Sequence, residues 1–261
     1  MARLTGERPL PGATPDSLLA FHAAGYREVR DRLGSGRVLD VGCGVGEETA
    51  VLAAPGRTVV GLDLDATTAV DAARALAQRG LRFAAMDGAA LGIRDGSIDA
   101  VCSSHIIEHF FAPERHVAEL ARVCADPGRV YVITPNRPAD FENPFHVHPF
   151  EPPELASLLR LFFHDVEVLG IDGSPEARAD FARRRASGER ILKLDPLRIR
   201  QRIPRAWYVW SYERMLPSVY RALGPATTGI GSGIDHSHFF LTDRIEPTTP
   251  GLFAIAARPR V

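Results

Sequence analysis

The 261-residue chain reads as an α/β protein: a seven-stranded, mostly parallel sheet with helices on both faces and a mainly helical insertion between the sixth and seventh strands. Three observations predict this. Short apolar runs rich in β-branched residues alternate with stretches of helical periodicity, the pattern of βαβ units. A glycine-rich turn, Gly42-Cys43-Gly44-Val45-Gly46, directly follows the first such run. The next two runs end on or near a carboxylate, Asp63 and Asp87, where the strand tips of such a sheet meet ligands.

Taken in order, Leu18, Leu19, Phe21, Tyr26, Val29 and Leu33 form a helical apolar stripe over 15–33, behind Pro15-Asp16. Strand one is 37–41, followed by the glycine turn and a helix over about 46–54. Strand two, 58–62, precedes a helix over about 67–79, and strand three is 81–85. Strand four covers 98–102, a helix 114–125, and strand five 128–133. A helix over about 152–161 and a sixth strand at 165–169 follow, and a seventh strand spans 252–257. The boundaries are a helical segment over 1–36, a core over 37–171, an insertion over 172–250 and the last strand of the core over 251–261. About 80 residues separate the last two strands, far more than a hairpin needs. The insertion is read as a lid over the substrate, with an interface in a homodimer as the other use of it.

Composition bounds the function. Hydrophobic residues make up 45% and charged residues 24%, and the net charge of -1 provides no global positive field for nucleic acid. Cys43, Cys102 and Cys124 form neither a paired framework nor a zinc spacing, so buried thiols in a reducing, cytoplasmic setting are expected. The N-terminus has no secretory stretch, and no uncharged run of 18 apolar residues predicts a membrane span.

A glycine turn between strand and helix lets a ligand approach the backbone closely. Here the spacing is Gly42, Gly44, Gly46, not the G-x-G-x-x-G of dinucleotide enzymes, and Glu47-Glu48 follows, which disfavours a phosphate. Asp40 before the turn suits a cationic amino group. Asp63, at the end of strand two, suits two ribose hydroxyls, and Asp87 with Gly88 suits an adenine amine.

The ordered series resembles the class I S-adenosylmethionine-dependent methyltransferases from about residue 20 to 170. It comprises Val38-Leu39-Asp40-Val41-Gly42-Cys43-Gly44-Val45-Gly46, Val60-Gly61-Leu62-Asp63, Met86-Asp87-Gly88, Ser97-Ile98-Asp99-Ala100-Val101, Glu108-His109, Glu119-Leu120-Ala121-Arg122-Val123, Pro127-Gly128 and Thr134-Pro135-Asn136. The resemblance implies a Rossmann-like core that binds S-adenosyl-L-methionine and releases S-adenosyl-L-homocysteine. It implies that Asp40, Gly42 and Gly44 line the amino-acid end of the cofactor, Asp63 its ribose and Asp87 its adenine, with Cys43, Leu64 and Gly88 also among the cofactor-binding residues. Ser104 and His105 would run beside the methionine and sulfonium. Tyr26, four residues after His22, would close over the cofactor or pack its helix.

Transfer to oxygen requires an aligned nucleophile and a base. The candidates are His109, after strand four, and His146 and His148, after strand five; an imidazole titrates near neutrality. In an extended segment His146 and His148 would share a face, and if 105–109 is helical His105 and His109 lie one turn apart. The leading expectation is O-methylation of a small molecule, a sugar or specialised metabolite, with a histidine as base. N- or C-methylation is the nearest alternative; an RNA methyltransferase or a non-catalytic cofactor-binding scaffold are others. No DNA partner is expected, and RNA is disfavoured because aromatics are not interleaved with the basic run from Arg178 to Arg205. A divalent metal on Glu142, His146 and His148, with Asp235, His236 or His238, is chemically reasonable but is not the favoured reading, so no metal ligand is assigned.

Overall fold

The computed structural model describes residues 14–76, 80–140, 143, 145–192, 204, 207, 209, 214, 229 and 231–260. Helix α1 (Asp16–Arg32) leads into β1 (Gly36–Val41), α2 (Glu47–Val51), β2 (Arg57–Asp63), α3 (Ala66–Ala75) and β3 (Leu81–Ala85). Then come β4 (Ile98–Ser104), a 3-10 turn at Ile107–His109, α4 (Pro113–Val123) and β5 (Cys124–Pro135). They are followed by α5 (Pro152–Arg160), β6 (Phe163–Gly173) and α6 (Pro175–Leu192). A second 3-10 turn (His236–His238), β7 (Phe239–Thr242) and β8 (Gly251–Pro259) complete the order.

These strands form one sheet in the order β3-β2-β1-β4-β5-β8-β6-β7. β1 pairs in parallel with β2 and β4, β2 with β3, and β4 with β5, whereas β8 runs antiparallel to β5 and β6. Alternation along each strand feeds two cores. Leu39, Val41, Val101, Val130 and Val132 pack with Val117 and Leu120 of α4 and Leu155 and Leu159 of α5. Val38, Ala100, Cys102, Tyr131 and Ile133 pack with Phe21, Ala24, Tyr26 and Val29 of α1. A sheet buried on both faces requires near-continuous apolar strands, which is what the sequence shows.

The α/β class and the Rossmann-like arrangement hold, but the strand count is eight rather than seven. The additional strand is β7, which extends the sheet edge antiparallel to β6, with Gly173 opposite Phe239 and Gly170 opposite Thr242. It arises inside the segment expected to be mainly helical. Four residues are too few to show a period, and only pairing with β6 reveals them as a strand. β6 also runs four residues beyond its expected end at 169, to Gly173. Helix α2 is a single short turn rather than 46–54. Of the insertion expected to be mainly helical, the part from 193 to 230 lies outside the described residues except for 204, 207, 209, 214 and 229. No described helix is long and apolar enough to cross a membrane.

The chain reverses its direction of growth between β1 and β4, so the carboxyl ends of those two strands open a crevice between diverging connections. The glycine turn, Asp63, and the segment from Ser104 to His109 all lie along this edge.

Candidate functional site

The turn after β1 is held by its own amides. Gly42 N–H and Cys43 N–H both donate to Leu62 O at 2.8 Å, Gly44 N–H donates to Asp63 Oδ2 at 3.0 Å, and Gly46 N–H donates to Cys43 O. Gly42 and Gly44 adopt φ of 84° and 53°, the left-handed region that glycine enters without strain. A Cβ on Gly42 would lie 2.2 Å from the Ile106 side chain, whereas the space beside Gly44 is open. With these four amides taken by protein acceptors, the turn is no nest for a phosphate. With its amides committed, the turn does not select for an anion, which is compatible with a ligand whose end is cationic.

Asp40 lies beneath the turn. Its side chain is fully buried, on the α1 side of the sheet, and accepts hydrogen bonds from Thr49 Oγ1 at 2.6 Å and Tyr26 OH at 3.2 Å. Burial pushes its carboxyl up to about 6, against the lowering effect of Thr49, Tyr26 and Cys102. Tyr26 is thus a strut between α1 and β1, and the same burial and the Asp40 charge raise its phenol well above the ordinary value. Asp63 ends β2, with Oδ2 on Gly44 N–H and Oδ1 accepting from Asp65 N–H at 2.9 Å. The next residue, Leu64, is 75% exposed, and a leucine so exposed at a strand tip offers a flat apolar cover to a ligand.

Asp87 is exposed and turns its carboxylate to Ala89 N–H at 2.8 Å, while Gly88 is buried. Gly88 O accepts from His116 Nδ1 at 2.8 Å, which leaves Nε2 to accept from Ser103 Oγ at 2.8 Å. Burial drives His116 down to about 4, so this neutral ring fastens the Asp87-Gly88 loop to the tip of β4.

After β4 the chain turns at His105, whose φ of 56° is left-handed. The segment continues as the 3-10 turn, so His105 and His109 are not stacked along an α-helix. The His105 ring stacks on His22 of α1 at 3.9 Å, and burial next to it lowers the His22 pKa well below the ordinary value. Ser104 Oγ and His105 Nε2 are buried without a hydrogen-bond partner. Such orphans in a crevice call for a ligand's polar atoms. With the open side of Gly44 and the absence of an anion nest, they fit S-adenosylmethionine.

Glu108 is 1% exposed, and its Oε2 accepts from Thr134 Oγ1 at 3.0 Å. Burial would raise this carboxyl, but His105, His146 and His109 around it outweigh that and leave it at about 2. Its carbonyl accepts from both Val147 N–H and His148 N–H, which docks the loop after β5 onto the 3-10 turn. The docking brings the rings of His109 and His146 to 5.2 Å. His146 Nδ1 donates to Asp140 Oδ2 at 2.6 Å, and Asn143 Nδ2 donates to His146 Nε2 at 2.9 Å. The pair is mostly buried, with side-chain exposures of 12% and 16%.

His148 goes elsewhere: its ring stacks on Phe150 at 4.7 Å. The loop is turned, not extended, so the shared face expected for His146 and His148 does not form. Asp140, Thr49 and Asn143 were not singled out by sequence reasoning. Each acts on a residue reached only through the fold, and no spacing marks it. Glu142 and Pro144 of this loop lie outside the described residues.

A model of a methyltransferase domain matches residues 39–132, from β1 to β5. A protein of Mycolicibacterium smegmatis described as a probable S-adenosylmethionine-dependent methyltransferase is 32% identical over 177 residues, which cover 64% of this chain and 68% of that protein. A protein of the same description from Mycobacterium tuberculosis is 34% identical over 184 residues, covering 67% of this chain and 66% of its own length. The matches thus span about two thirds of these relatives. Among solved structures, the [4+2]-cyclase SpnF superposes with a TM-score of 0.58 at 18% identity, over 99% of this chain and 88% of that one, a likeness of fold alone. The matched domain, the relatives and the crevice that fits the cofactor agree: this chain belongs to the class I S-adenosylmethionine-dependent methyltransferases.

Proposed function

We propose that the enzyme methylates a hydroxyl group of a small molecule and that His146 takes the proton. The observation that carries this reading is the Asp140–His146 contact of 2.6 Å at the ligand-binding edge of the sheet. A carboxylate on Nδ1 holds one tautomer, keeps the lone pair on Nε2 and stabilises the imidazolium once the proton arrives. The Asn143 amide donates to that lone pair, and an acceptor hydroxyl would take its place. His109, with Nδ1 donating to Phe145 O at 3.1 Å, flanks the acceptor from the 3-10 turn; His148 is the more remote candidate.

S-adenosylmethionine supplies the electrophilic methyl group. On the protein side, the Gly42-Cys43-Gly44 turn receives the amino-acid end, with Asp40 and Tyr26 bracing it from beneath. Asp63 accepts from the ribose hydroxyls, and Leu64, Asp87 and Gly88 border the adenine. Ser104 and His105 line the path to the acceptor. The insertion over 172–250 is assigned to the substrate side: Arg185 of α6 donates to Pro138 O in the loop after β5, at 2.8 Å.

Replacement of either dyad member tests the reading. His146→Gln is expected to lower the methyl-transfer rate about a hundredfold, the lower end of what a general base contributes, and Asp140→Asn to lower it in the same direction, with S-adenosylhomocysteine affinity unchanged. Wild-type turnover in His146→Gln across the pH range would refute it.

A further inference from the structure

Beside the proposed acceptor position, one oxygen of Glu108 and one ring nitrogen each of His109 and His146 lie within 4.8 Å of one another. Glu108 Oε1 is buried and accepts no hydrogen bond; His105 Nδ1 stands 3.6 Å away and His146 Nε2 4.0 Å away. The neighbouring rings already favour the carboxylate, yet no donor closes on Oε1, so this oxygen keeps a lone pair that a cation can take. Both histidines have their second nitrogen committed. His109 Nδ1 donates to Phe145 O and His146 Nδ1 donates to Asp140, so each lone pair lies on Nε2. Contacts of this kind fix the tautomer and orientation of metal-binding imidazoles. The backbone bonds from Val147 and His148 to Glu108 O hold the two segments together.

We propose that Glu108, His109 and His146 form a site for a divalent transition-metal ion of the zinc class, with a coordination position left open. Two imidazoles and one carboxylate are the donor set of such ions, whereas magnesium prefers six oxygens. Bonds near 2.1 Å set tetrahedral donors about 3.4 Å apart, so the three groups close by up to about 1.4 Å, and the Asn143 amide leaves His146 Nε2. The ion then holds the lone pair that the proposed methyl transfer requires, and the metal competes with the acceptor's proton. The site is an off-switch built onto the base. That consequence rests on the functional reading above; the binding itself does not.

The test starts from metal-free full-length protein, titrated with Zn2+ by calorimetry and with Co2+ by visible absorption. One ion per chain is expected, with the d–d bands of a low-coordinate Co2+. Glu108→Gln and His109→Ala weaken binding at least tenfold, while a His236→Ala/His238→Ala double variant does not. S-adenosylhomocysteine binding reports that each variant is folded; because Glu108 is buried, His109→Ala carries the comparison if Glu108→Gln does not fold. No stoichiometric binding, binding that survives His109→Ala, or binding lost with the His236/His238 pair overturns the site. Saturating Zn2+ is expected to suppress methyl transfer and a chelator to restore it. An ion bound at this site without loss of turnover overturns the competition and, with it, His146 as the base. Failure to bind metal in an enzyme that still depends on His146 overturns the site and leaves the base standing.

Discussion

Asp40 stands under the glycine turn at a cost that can be measured. Its carboxyl rises from 3.8 to about 6 because burial disfavours the charge more than Thr49 and Tyr26 favour it. A carboxyl raised in the folded state contributes stability that is fully present below the unfolded value and is lost as pH rises through the folded one. A shift of about 2 units corresponds to roughly 3 kcal/mol, of which about 2 kcal/mol falls between pH 4.5 and 7.5. Asp40→Asn preserves the shape, an acceptor for Thr49 and a partner for Tyr26, but cannot ionise. The stability of the variant minus that of the wild type, from urea unfolding at each pH, is therefore expected to grow by about 2 kcal/mol from pH 4.5 to 7.5. Titration elsewhere in the chain cancels in this difference. A difference independent of pH would refute the reasoning, because it would mean that the buried carboxylate carries no net desolvation penalty. A variant that gains stability at neutral pH while losing S-adenosylmethionine affinity would mark Asp40 as a group whose charge is maintained for the ligand.

Two further outcomes follow from the same edge of the sheet. His116, lowered to about 4 by burial, contributes stability present above its unfolded value of 6.5 and lost as pH falls through 4. Relative to His116→Gln, the wild type is expected to lose about 3 kcal/mol across that window, and a flat difference in acid unfolding would count against a neutral buried ring. Asp63→Ala removes the acceptor for both Gly44 N–H and Asp65 N–H and is expected to weaken S-adenosylhomocysteine by about 1–3 kcal/mol. Calorimetry with unchanged affinity would remove Asp63 from the ribose.

Much of the fold was legible because its signals are local. The short, nearly continuous apolar run around Val38-Leu39-Asp40-Val41 and the glycine turn at its end are properties of contiguous residues, and so is the carboxylate that ends β2. Strand β7 was not legible, since Phe239–Thr242 becomes a strand only when β6 presents free backbone groups to it. The separation of His146 from His148 was invisible for a similar reason. It depends on two amides of their loop binding Glu108 O, a residue almost forty positions earlier.

By itself the sequence determined the α/β class, the glycine turn and the carboxylates at the strand tips, because strand period and turn chemistry are written in neighbours. Only the tertiary structure decided that Asp40 supports the turn from below, that Asp140 orients His146, and that His22, His105, His109 and His146 gather around Glu108. Those arrangements depend on the crossing of α1 over the sheet and on the docking of the loop after β5 onto the 3-10 turn. Contacts between such distant segments arise from packing, which leaves no period in the chain to read.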